Sequence, residues 1–158
     1  MRYIITRYAL RFRLPIIYLW IKMFDSPMKL AIEEAKAAIA VGEVPVGALV
    51  LDAKKQIIAR GHNMTRSLQD PSAHAELVVL RKACKKLNSD RLIGCSIYVT
   101  LEPCAMCASA ISLSRISNLY YGASDQKSGG IEYGAKIFTR KQTHFKPNVF
   151  SGFCEEEI

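Results

Sequence analysis

Two cysteines, in Pro103-Cys104-Ala105-Met106-Cys107, carry the strongest chemical signal in this chain. Side chains three apart fall on one face of a helix's first turn. Pro103 suits such a start, where a backbone N–H has no intrahelical partner. The electropositive helix end favours thiolate over thiol, and two adjacent thiolates can share a borderline-soft cation. Read alone, the pair is also compatible with a redox couple or two buried thiols. Upstream lies His74-Ala75-Glu76, just after Asp70-Pro71-Ser72, at another expected helix start. Residues two apart on a helix diverge, so His74 can ligate a metal while Glu76 reaches over an open coordination position. Three protein ligands, one position for water and a separate base are the requirements of a hydrolytic zinc site. A closed structural zinc site has no use for the carboxylate.

Several elements must bring these residues together. Asp25-Ser26-Pro27 reads as a helix start, and Met28 to Val41 continues with apolar residues at helical spacing (Leu30, Ala31, Ala35, Ala38, Ile39) until Gly42. Val46 to Leu51 and Ile57 to Ala59, separated by Asp52-Ala-Lys-Lys55, read as a hairpin. Ser72 to Leu87 forms a second helix, with Leu77, Leu80, Cys84 and Leu87 as its apolar stripe. Cys95 to Leu101 alternates as a strand: Cys95, Ile97, Val99 and Leu101 face one way, Ser96, Tyr98 and Thr100 the other. A small-residue helix to about Leu113, a strand from Ile116 to Tyr121, a loop over 122–130 and a short strand after Pro147 complete an α/β pattern.

With 158 residues, 50% of them hydrophobic and 23% charged, the chain fits one domain with a packed core. The net charge of +8 divides evenly between residues 1–27 (five basic, one acidic) and the remainder. The main domain is therefore only mildly basic, which suits a phosphate-bearing partner without demanding one. The five cysteines are odd in number and irregular in spacing, unlike a secreted disulfide scaffold. Cys84 and Cys95 read as core thiols.

The ordered pair His-x-Glu and Pro-Cys-x-x-Cys resembles the signature of zinc nucleobase deaminases. Four stretches are similar, more narrowly, to bacterial tRNA-specific adenosine deaminases: Glu43-Val-Pro-Val-Gly-Ala48; Asn63 with Asp70-Pro-Ser-Ala-His-Ala-Glu76; Tyr98-Val-Thr-Leu-Glu-Pro-Cys-Ala-Met-Cys107; and Tyr121-Gly-Ala-Ser-Asp-Gln-Lys-Ser-Gly129. The likeness covers about residues 28–152. It implies a three-layer αβα sandwich around a mixed five-stranded sheet, a homodimer, and one Zn2+ per subunit held by His74, Cys104 and Cys107. The implied substrate is the wobble adenosine of a tRNA anticodon loop, converted to inosine. Glu76 would take a proton from the activated water and return protons to the ring nitrogen and the leaving ammonia. The Cys104 N–H would support developing charge. By the same resemblance Asn63 reads the base, the Ala75 backbone holds it, Val44 lines the pocket, and Asp125 and Lys127 approach the RNA backbone. A single-stranded loop lets the base unstack at small cost.

Two regions depart from that pattern. The family ends in a long helix, whereas here only Phe153 to Ile158 remains, including three consecutive glutamates that would repel phosphate. Residues 1–27 have no counterpart and are set apart from a deaminase domain at 28–158. They admit three readings: an upstream start with Met23 or Met28 as the true first residue, an organelle transit peptide, or a basic membrane-surface segment. The longest uncharged run there, Leu14 to Ile21, is too short to span a bilayer. No membrane partner is expected for residues 28–158, and the expected location is the cytoplasm. Competing functions are deamination of a free base or nucleoside, a non-catalytic zinc- or tRNA-binding role, and a redox role for Cys104 and Cys107.

Overall fold

The computed structural model describes residues 14–153, with side chains from Pro27 onward. Helix α1 spans Leu14–Ala40 and contains Pro27 in its interior. The helix start expected at Asp25-Ser26-Pro27 is therefore corrected: the backbone is already helical there. A proline loses its own N–H bond and crowds one carbonyl, but the good helix formers of Met28–Ala40 keep their own bonds. Gly42 ends the helix as expected. Its φ of 74° admits the left-handed turn in which Gly42 N–H reaches Ile39 C=O and Glu43 N–H reaches Ala38 C=O.

Five strands form one mixed sheet in the order β2-β1-β3-β4-β5. They are β1 (Gly47–Leu51), β2 (Ile57–His62), β3 (Ser96–Leu101), β4 (Asn118–Ala123) and β5 (Asn148–Phe150). β1 and β2 make the expected hairpin, and β1 runs antiparallel to β3 as well. β3, β4 and β5 are mutually parallel. Helices α2 (Ala75–Leu87) and α3 (Ala105–Leu113) complete the regular structure, with a short 3-10 turn at Ile137–Thr139.

The period of two along each strand sorts the core into two layers. Ala48, Val50, Ile97, Val99, Leu119 and Tyr121 point to the face covered by α2 and α3, meeting Val79, Ala83 and Ile111. Leu49, Leu51, Tyr98 and Tyr120 point to the opposite face, against Met28, Ala31 and Ile32 of α1. This is the expected αβα arrangement, and the alternation read along β3 holds. On the α1 side, Tyr98, Tyr120 and Phe150 stack across three strands at centroid distances of 4.4 and 4.8 Å.

The apolar stripe expected on α2 is rotated. The buried residues are Ala75, Val78, Val79, Leu80 and Ala83, whereas Leu87 is exposed. Of the expected stripe, Leu80 is buried and Cys84 packs half-buried against the same core, while Leu77 lies at the margin because Ala75, Val79 and Ala83 form the face nearest the sheet. Likewise Met28 and Ile32 are buried on α1, and Ile39, expected inside, is 63% exposed.

Parallel strands direct their C-terminal ends toward one edge, where ligand crevices form. Here that edge collects the end of β3, the end of β4 and, because β1 runs the other way, the start of β1. Gly47 N–H donates to Thr100 Oγ1 across it. The β1–β2 turn at 52–56 lies at the opposite edge.

Candidate active site

Both metal-ligating segments enter this edge at a helix N-terminus. His74 is the N-cap of α2, with φ −68° and ψ 153°, and Cys104 is the N-cap of α3, with φ −65° and ψ 172°. Each residue thus sits one position ahead of the helix rather than inside its first turn, in extended backbone that aims its side chain past the helix end. Cys107 follows within the first turn of α3 and is fully buried.

The two helix tips converge. His74 Nδ1 lies 3.8 Å from Cys104 Sγ and 3.6 Å from Cys107 Sγ. All three ligand atoms fall within 4.8 Å of one another. A tetrahedral zinc ion with ordinary Zn–S and Zn–N bonds requires N···S separations of about 3.6 Å. The residues therefore fit one such ion, and the imidazole presents Nδ1 to it. Among the described residues this is the one group of three or more potential ligands close enough to share a metal.

Glu76, on the first turn of α2, is only 4% exposed. Burial pushes its carboxyl up to about 7, partly offset by a bond from its own N–H, while the nearby Cys104 raises it further and His74 and the Cys107 thiol lower it. A carboxyl poised near neutrality can both accept and return a proton. The Cys107 thiol bonded to it holds the Cys104 pKa down to about 5, while the same bond and burial push that of Cys107 up.

Asn63 is buried at the end of β2, and its Oδ1 accepts the Ala75 N–H at 2.8 Å. The sequence places these two in one pocket, and the structure joins them by a bond. Asn63 N–H in turn donates to Val46 C=O, which brings the 41–46 loop, with Val44 at 49% exposure, to the same mouth. Asp125 and Lys127 lie in the loop after β4. Asp125 Oδ1 accepts the Lys127 and Ser128 N–H groups at 2.9 and 3.0 Å, so this carboxylate also shapes its own loop. Lys127 is exposed.

Two residues at this edge escaped the sequence reading. Glu102, beside Pro103, is 3% exposed and accepts three backbone N–H groups: Asp125 at 3.1 Å, Ile131 at 3.0 Å and Glu132 at 2.8 Å. Glu43, 5% exposed, accepts the Arg66 and Ser67 N–H groups at 2.9 and 2.7 Å and the Ser67 and Thr65 hydroxyls at 2.8 and 3.1 Å. An acid next to a proline or a valine carries no sequence mark of burial. Nor does spacing reveal bonds to backbone 23 or more residues away.

Comparison with known proteins agrees with this geometry. The profile of the cytidine and deoxycytidylate deaminase zinc-binding region matches residues 23–123. A tRNA-specific adenosine deaminase of Agrobacterium fabrum is 52% identical over 131 residues, covering 82% of this chain and 85% of that protein. One from Bacillus subtilis is 46% identical over 130 residues, covering 82% and 80%. A solved structure from a study of A-to-I editing by tRNA:A34 deaminases at the wobble position superimposes with a TM-score of 0.82 at 48% identity, covering 84% and 95%. A guanine deaminase structure from Bacillus subtilis matches at TM-score 0.61 and 37% identity, over 63% of each chain.

Proposed function

This chain belongs to the cytidine and deoxycytidylate deaminase family, and from that premise we propose that it hydrolytically deaminates the wobble adenosine of a tRNA anticodon to inosine. The observation that carries the chemistry is the meeting of His74 Nδ1 with both sulfurs beside the buried Glu76 carboxyl. The likeness to tRNA-specific adenosine deaminases over most of both chains supports the substrate.

His74, Cys104 and Cys107 would hold one zinc ion, which supplies a water acidified to near neutrality as nucleophile. Glu76 would carry one proton of the attacking water to the purine ring nitrogen and the second, from the hydroxyl formed on the amino-bearing carbon, to the departing ammonia. Asn63 and the Ala75 backbone orient the base, with Val44 at the pocket lip. The Cys104 N–H, at the α3 terminus, faces the developing charge. Asp125 and Lys127 approach the RNA backbone.

The partner is then a tRNA anticodon loop. One surface supports it further. Residues 133–150 contain Lys136, Arg140, Lys141 and Lys146 and no acid. All four cations are exposed, and none forms an ion pair with a described carboxylate. This segment leaves the site at Gly130, whose C=O accepts the Ile137 N–H, and follows α3 to the Ser112–Phe145 bonds. Unpaired cations beside a catalytic mouth suit phosphate.

We also propose a homodimer. A shallow apolar groove between α2 and α3, lined by Leu77, Leu80, Cys84, Ala110 and Leu113, offers a surface for a second copy. No described helix is long and apolar enough to cross a membrane. A tRNA substrate is consistent with a cytoplasmic enzyme. The deaminase unit is residues 28–158, with residues 1–27 an extension. Residues 1–13, and all of the shortened C-terminal helix expected at Phe153 to Ile158 except Phe153 itself, lie outside the described residues.

The test is inosine formation in an anticodon stem-loop with adenosine at the wobble position, run beside ammonia release from free guanine, cytosine and their nucleosides. Inosine in the RNA and inert free bases support the reading. The reverse pattern assigns the chain to the free-base class.

A further inference from the structure

Two buried carboxylates stand at the active-site edge without a cationic partner among the described residues. Glu43 and Glu102 lie in different connections, yet each grips the loop that follows the neighbouring strand. Glu43, in the α1–β1 connection, holds Thr65, Arg66 and Ser67 of the β2–α2 loop. Glu102, in the β3–α3 connection, holds Asp125, Ile131 and Glu132 of the loop after β4. The first pairing joins the segments that carry Val44 and Asn63. The second joins the segment of Cys104 to the loop of Asp125 and Lys127. Val44, Asn63, Asp125 and Lys127 therefore all lie on segments tied together by one of these two acids.

We propose that Glu43 and Glu102 are positioning residues that hold the two walls of the cleft in the spacing that binds RNA, without taking part in proton transfer. The proposal rests on reading the site as a tRNA deaminase. Physics favours a carboxylate over a neutral side chain in both places. A buried anion is tolerable only when donors surround it, and backbone N–H groups converge on both. At Glu102 both oxygens accept backbone N–H groups, so a glutamine NH2 would face a donor; at Glu43 one oxygen takes three donors and the other meets only the Thr65 hydroxyl, so removing the acceptors there requires an apolar side chain of similar length. The packing around Glu102 leaves little slack. A Cβ at Gly129 would lie 2.5 Å from both the Glu102 carboxyl carbon and Oε1, and one at Gly130 would lie 2.6 Å from Ala105 N. The loop is thus pressed against the start of α3, where Cys104 forms an isolated bridge with Gly129.

The experiment compares wild type with Glu43→Met and Glu102→Gln on an anticodon stem-loop, reading KM, kcat, zinc content and amide hydrogen exchange. The expected result is a KM raised about tenfold or more, kcat per zinc within about twofold of wild type, and faster exchange confined to residues 65–67 or 125–132. An unchanged KM in a folded, zinc-loaded variant would overturn the proposal. So would accelerated exchange across α2 and α3, which would mark the carboxylates as supports of the whole fold. Should either variant fail to fold, Ser67→Ala, which removes one donor to Glu43, and Gly129→Ala, which displaces the loop from Glu102, are read in the same way. If wild type does not edit the RNA, the functional reading fails, and the exchange comparison still decides whether these acids hold the loops.

Discussion

Asn63 Oδ1 accepts the Ala75 N–H at 2.8 Å, so the residue proposed to read the base also caps the helix that bears the proposed metal ligand and general base. The first N–H groups of a helix have no internal partner. One buried amide thus links base recognition to the placement of His74 and Glu76. Asn63→Ala leaves the Ala75 N–H without its acceptor, which should destabilise the fold by about 1–3 kcal/mol and lower kcat/KM together with the melting temperature. Asn63→Asp keeps an acceptor and should recover most of the stability but not the activity. Thermal melts and steady-state kinetics on the same samples separate the two effects.

Glu76→Gln removes the proton carrier while leaving His74, Cys104 and Cys107 in place. Turnover should fall by roughly two to four orders of magnitude, with zinc bound at one equivalent per subunit. Activity near wild type in that variant would remove Glu76 from the mechanism. Metal analysis beside an inosine assay reads both quantities.

Cys107 is fully buried and faces His74 Nδ1. Cys107→Ser should abolish stoichiometric zinc binding, since a hydroxyl is a poorer ligand than a thiolate. In wild type, a strong chelator should abolish activity and lower the melting temperature, and added zinc should restore both. A chelated protein that keeps full activity would rule out the metal route.

Neutralising Lys136, Lys141 and Lys146 together, each to Gln, should weaken RNA binding and flatten its salt dependence. Three lost phosphate contacts would change the slope of log K against log salt by about 2 for a single strand. The same number of substitutions at Lys54, Lys55 and Lys85, away from the site, should leave the slope unchanged. Equal slopes for the two triple variants would show that the 133–150 segment is only a solvated surface.

Glu34 joins α1 to β2. It accepts from Arg60 Nε at 2.6 Å and pairs with His62 Nδ1 at 3.0 Å. Burial raises its pKa, but the His62 and Arg60 bonds outweigh this, and the carboxyl lies below its ordinary 4.5. A depressed carboxyl pKa means that the unfolded chain takes up protons first as pH falls. The contribution of Glu34 is therefore complete above about pH 4.5 and is lost as the pH drops toward its folded value. Glu34→Gln should lower stability at pH 7 while making the decline below pH 4.5 shallower. Denaturant titrations at pH 7, 5 and 4 provide the check, and parallel curves for the two proteins would contradict it.

Much of this site was legible because its chemistry is written in short intervals. His74 and Glu76 are two residues apart, and Cys104 and Cys107 three, so each pair straddles one helix start and is related locally. Alternation along β3 likewise named both of its faces, since strand periodicity needs no knowledge of what packs there. Local signals misled where long-range packing decides. Pro27 reads as a helix start yet sits within α1, and the larger side chains of α2 suggest a stripe that the smaller Ala75, Val79 and Ala83 displace to reach the sheet. What only the tertiary structure could decide is convergence: that Nδ1 of His74 meets two sulfurs 30 and 33 residues away, and that Glu43 and Glu102 turn inward to collect distant backbone N–H groups. Those contacts depend on which strand edges neighbour one another, and strand order is set by burial of the whole sheet rather than by any one segment.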